Sequence, residues 1–156
     1  MLAGALIFDF QSVRFWMARL EFSAHEQGQP RLGPGRGRRG FRDEVRGMKK
    51  AVLGRWRIVK MSTWDSDYID MVSPGIVAFK NNGEGQLRFG CVDVELDWRI
   101  EGGSERVEFT FSGFDEGSEV SGRGWAEVQK SRMAGKIFLH MGDVSEFVAR
   151  KAAATA

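Results

Sequence analysis

Asp65, Asp67 and Asp70, in the string Trp-Asp-Ser-Asp-Tyr-Ile-Asp at 64–70, form the sharpest acidic constellation in this chain of 156 residues. Three carboxylates at that spacing could offer oxygen ligands to a hard cation. The string lacks the glycine and the later bidentate glutamate of a calcium loop. Carboxylates also suit the positive N-terminal end of a short helix, and capping is the role expected of Asp65 and Asp67. His140, in Phe-Leu-His-Met at 138–141, has the ordinary pKa of a general acid or base, with Glu108, Asp115, Glu116 or Asp143 as candidate partners. Neither a G-x-S-x-G nor an S-x-x-K nucleophile motif accompanies it, so a histidine hydrogen-bonded within a strand is the plainer expectation.

One cysteine, Cys91, and two histidines exclude a disulfide framework and a cysteine zinc site and leave little for a histidine metal centre. Cys91 reads as a small, reduced, strand-borne hydrophobe, and a cytoplasmic location is expected. No cofactor and no metal are expected. Gly35-Arg36-Gly37-Arg38-Arg39-Gly40 matches G-x-G-x-x-G, but without a preceding strand and a following helix a dinucleotide site fails its context test. As an arginine–glycine tract it could instead meet phosphates, the one route by which nucleic acid enters as a partner.

The charge is unevenly placed. Residues 1–50 hold ten Lys/Arg against five Asp/Glu, whereas residues 51–156 hold thirteen against sixteen. The run 28–47 contains six Gly, six Arg and two of the three prolines, too little apolar surface to offset its ordering entropy. Residues 1–47 are therefore expected to be a disordered extension, or sequence upstream of a start at Met48. Asp9, Glu21 and Glu26 argue against a transit peptide. No stretch reaches the roughly 18 apolar residues of a membrane helix.

From Met48 onward the pattern becomes short alternating runs separated by turn residues. Strands are expected at 55–61, 76–80, 86–92, 94–100, 106–111, 120–129, 133–141 and 145–151. Asn81-Asn82-Gly83 and residues 101–104 are turn signals, and 112–119 reads as a polar loop. The connections are too short for crossover helices, except 62–73, which has room for a helical turn capped by Ser62 or Asp65. The expectation is an all-β chain: about eight antiparallel strands in a meander, closed into an up-and-down barrel, with one short helix after the first strand. An open sandwich is the alternative. The barrel domain is placed at 48–151 and a disordered tail at 152–156. Mid-strand Gly90, Gly122 and Gly124 suit the bends that closure requires.

Gly54-Arg55-Trp56 resembles the G-x-W motif that opens the barrel of lipocalins and other calycins. The resemblance implies that Trp56 closes one barrel end and packs beneath a basic residue near the last strand, for which Arg150 is the candidate. The domain is shorter than a typical lipocalin and lacks its disulfide and long C-terminal helix. The string 64–70, with Ser-Gly-Arg-Gly-Trp-Ala at 121–126 and His-Met-Gly-Asp at 140–143, also resembles a set of small bacterial proteins to which no activity is assigned.

Three functional readings result. The first is a non-enzymatic barrel that binds a small apolar or aromatic ligand, with Trp64, Tyr68, Trp98, Trp125 and His140 lining or gating the cavity and Arg123 as an anchor. The second is an interaction module that presents the acidic 64–70 segment to a basic partner. The third is a hydrolase or isomerase built on His140.

Overall fold

The computed structural model describes residues 39–100 and 106–153. Helix α1, Arg39–Val52, places half-buried Val45, Met48 and Lys49 and buried Val52 on one face at helical spacing. Lys49 and Lys50 lie in its last turn, where cations suit the negative end of the helix dipole. Residues 39–47, expected to be disordered, are helical, and the boundary expected at Met48 falls inside a helix. The composition of 28–47 averages two unlike halves: both prolines precede residue 39, while 41–52 carries the helical apolar pattern. Residues 1–38, including most of the arginine–glycine tract, lie outside the described residues. So do the 101–104 turn and residues 154–156.

Eight antiparallel strands follow: β1 Gly54–Met61, β2 Ile76–Phe79, β3 Glu84–Phe89, β4 Val92–Ile100, β5 Arg106–Asp115, β6 Ser118–Gln129, β7 Arg132–Leu139 and β8 Val144–Lys151. Each pairs with the next, and β1 pairs with β8 to close the barrel. Helix α2, Ser66–Ile69, occupies the β1–β2 connection as expected, and Asp65 caps it by accepting from the Tyr68 backbone N–H at 2.9 Å. The loop expected at 112–119 is instead mostly strand. Its turn shrinks to Glu116 and Gly117, whose φ of 48° and 84° match the type I′ geometry that continues a hairpin twist. The inward position there is Gly113, so no apolar alternation marked the strand. Ala152 extends the last ladder by donating to the Arg55 carbonyl at 2.9 Å.

The interior is filled by a repeated pairing. Inward residues from β4 (Val94, Leu96, Trp98), β5 (Val107, Phe109, Phe111) and β8 (Phe147, Ala149) are almost fully buried. Several stand opposite a registered glycine. Phe109 faces Gly124, Phe111 faces Gly122, Phe147 faces Gly135 and Leu96 faces Gly85. A Cβ at Gly124 or Gly135 would lie within 2.6 Å of the opposing phenyl ring. The mid-strand glycines are thus floors on which rings lie, and each ring takes the volume the glycine leaves.

A bulge at Val59 inserts one residue into β1 against Val148. It returns Met61 to the interior beside Phe147 and leaves Val59 43% exposed.

Gly124→Ala is expected to cost about 1–3 kcal/mol in denaturant unfolding, because the added methyl meets both the Phe109 ring and the Lys136 carbonyl. Gly47→Ala, where nothing lies within 4 Å, is expected to stabilise by about 0.5–1 kcal/mol through helix propensity.

Candidate functional site

The six residues expected to line one cavity are dispersed over four places. Trp64 stacks on Tyr68 (centroids 6.1 Å apart) and tilts against Phe89 at 4.9 Å, so this pair closes the α2 end of the barrel. Trp98 is in the core near the α1 end. Its Nε1 donates to the carbonyls of Lys80 (3.1 Å) and Glu84 (2.9 Å), and its ring meets Phe79 edge-on at 5.6 Å. Trp125 and Arg123 point outward from β6, where their registered partners are Lys136 and Phe138. His140 is exposed in the turn after β7 rather than mid-strand, and its backbone N–H donates to the Ser121 carbonyl at 2.8 Å. No carboxylate among the described residues pairs with its imidazole.

The G-x-W residues have local physical roles. Gly54 adopts φ +108°, a left-handed conformation that turns the chain from α1 into β1. Trp56 is 1% exposed, and its Nε1 donates to the Val52 carbonyl at 2.8 Å. The cation over its ring is Lys151, whose Nζ lies 4.3 Å from the centroid and donates to the Leu53 carbonyl. Lys151 is the registered partner of Trp56, whereas Arg150 registers with Arg57 on the outer face. The expected role of Arg150 is therefore filled by its neighbour, because strand parity sends alternate side chains to opposite faces. Desolvation holds the Lys151 ammonium below its ordinary pKa.

At the α2 end the acidic triad is divided between jobs. Asp70 accepts from the Gly75 backbone N–H at 3.0 Å and pairs with the Arg57 guanidinium. The Gly75 hydrogen bond, then Arg57, pulls its carboxyl below the ordinary value. Among the described residues no three His, Cys, Asp or Glu side chains are grouped to hold a metal ion. Cys91 Sγ lies 3.5 Å from Glu116, and desolvation together with that carboxylate pushes the thiol up. Burial likewise raises the Tyr68 hydroxyl, with Asp115 adding to the effect.

The connections at this end, 62–75, 90–91, 116–117 and 140–143, carry Asp65, Asp67, Asp70, Glu116 and Asp143 and neither Lys nor Arg. Exposed Met71, Val72 and Met141 sit among them, with exposed Phe114 and Val144 on the adjoining strand ends.

A groove of about 980 Å³ begins beside these turns and runs over the outside of β3–β6. The register places Asp93, Phe114 and Glu119 in one row across three strands, and Gln86, Glu95, Ser112 and Ser121 in the next. Asp93 is engaged by Gln86 at 2.9 Å and Arg88 at 3.0 Å. Glu95 and Glu119 have no hydrogen-bond or ion-pair partner among the described residues, and Phe114 between them is 55% exposed. Sequence reasoning missed this groove because its residues fall on the outer parity of three strands and inside a segment read as loop.

No protein-family model and no curated protein matches the chain. Among the described residues, no helix is long and apolar enough to cross a membrane.

Because the folded carboxyl of Asp70 titrates below its unfolded value near 3.8, its stabilisation is present above that pH and lost as pH falls through the lower, folded value. Asp70→Asn is therefore expected to lower the melting temperature at neutral pH and to converge with wild type in acid. Thermal melts across pH check this, and a difference independent of pH would contradict it.

Proposed function

We propose that this chain is a non-enzymatic binding module that takes a lysine- or arginine-rich segment of a partner protein. The segment lies in the acidic groove on β3–β6 and reaches the acidic 64–70 end. The observation that carries the reading is the exposed Phe114 ring beside the unpartnered carboxylates of Glu95 and Glu119. A guanidinium or ammonium gains twice there, from charge-assisted hydrogen bonds and from the ring face. The exposed Met and Val side chains around 71–72 and 141–144 supply apolar contact at the groove mouth. Carboxylates on both sides of an exposed ring fit an interface whose specificity is electrostatic. A reduced Cys91 suits a cytoplasmic setting.

An apolar ligand inside the barrel would have to displace the phenyl rings from their glycine floors, which is why the binding reading moves to the outer surface. A reaction at His140 would need a partner for the imidazole, and no described carboxylate, Asp143 of the same turn included, is hydrogen-bonded to it.

Isothermal titration with an arginine-rich peptide, and with a glutamate-rich peptide as control, tests the proposal. The basic peptide is expected to bind and to weaken steeply with salt. Glu119→Lys and Glu95→Lys are each expected to cost about 1–2 kcal/mol of binding. Equal binding of both peptides, or basic-peptide binding unchanged by the two reversals, would sink the reading.

A further inference from the structure

We propose that the opposite side of the barrel, the outer face of β6–β8 with Arg106 of β5, binds single-stranded nucleic acid. Two aromatic rings project there. The Arg106 guanidinium lies 4.2 Å from the Trp125 ring centroid, and Arg123 lies 4.5 Å and Lys136 5.6 Å from that of Phe138. Trp125 registers with Lys136 and Phe138 with Arg123, so the two rings are diagonal neighbours on adjacent strands, each flanked by a cation of the other strand. Such a pair offers two stacking surfaces within the span of successive unstacked bases, with a positive group beside each for the phosphates.

The supporting residues fit that use. Glu127 is 7% exposed and holds Arg106 Nε at 2.5 Å, which fixes the guanidinium against Trp125. A shallow recess of about 310 Å³ lies alongside, bordered by Arg99, Glu108, Thr110, Arg123 and Trp125, with Glu108 registered opposite both Arg99 and Trp125. The aromatic surfaces are what distinguish the partner: a duplex keeps its bases stacked and offers only phosphates, and a bare polyanion has no bases to stack.

Fluorescence anisotropy of the full chain with fluorescein-labelled oligothymidine tests the proposal, with the matching duplex and inorganic polyphosphate as competitors. Oligothymidine is expected to bind at low salt and to be displaced poorly by either competitor. Trp125→Ala is expected to weaken binding about tenfold, and Trp125→Phe to keep most of it. Arg123→Ala and Lys136→Ala are each expected to reduce the slope of log affinity against log salt by about 0.7. Absence of binding overturns the proposal. So does binding that survives Trp125→Ala and Trp125→Phe equally, or that polyphosphate displaces fully, since charge alone then carries it. If Trp125→Ala fails to fold by circular dichroism, Arg123→Ala and Lys136→Ala decide the matter, and an unchanged salt slope in both overturns it.

Discussion

A phenyl ring packed against a glycine of the neighbouring strand is the interaction on which the rest of the barrel depends. Eight strands enclose a lumen that side chains can fill, and here that filling pairs a large residue with a glycine at several positions. Phe109 over Gly124, Phe111 over Gly122 and Phe147 over Gly135 each set one large and one absent side chain across a ladder. The same pairing fixes register, because a slip of one residue would set each ring against a side chain instead of a floor. Leu96 over Gly85 repeats the arrangement between β3 and β4.

The inward side chains of the described strands are almost all buried, and the two recesses described above open on the outside. There the two sides diverge. The β3–β6 groove presents Glu95, Glu119 and Phe114. The β6–β8 side presents arginine and lysine over Trp125 and Phe138. The ends are sealed by different devices: Lys151 over Trp56 at the α1 end, and the Trp64–Tyr68 stack at the α2 end. Tyr68 also covers Gly90, whose N–H donates to the Ile69 carbonyl at 2.9 Å, so the short helix is tied to the β3–β4 turn.

Much of the fold was legible because strand alternation is a local property. The eight strands, their meander order, closure and the Asp65 cap all follow from patterns a few residues long. What was hidden depends on pairing. Nothing local marks the bulge at Val59, which changes the parity of β1, or shows that Lys151 rather than Arg150 meets Trp56. The segment 112–119 read as loop because Gly113 occupies its inward position, and an inward glycine carries no hydrophobic signal. Of the residues expected to line a cavity, Trp125 and Arg123 fall on the outer parity and His140 in a turn. The groove was illegible because four strands, each contributing one to three residues, come together to form it.

Closure carries a kinetic consequence. Seven of the eight ladders join strands consecutive in the chain, whereas β1 must wait for β8, the last strand to be synthesised. Until then the nascent sheet holds an unpaired edge on β1 and another on the most recently added strand, with its phenyl rings turned towards an open lumen. The local hairpins form early and at little entropic cost, but the final ladder closes a loop nearly as long as the domain. A ribosome-bound chain is thus exposed to edge-to-edge association throughout synthesis of the barrel. That interval ends only when β8 brings Phe147 onto Gly135 and Lys151 over Trp56.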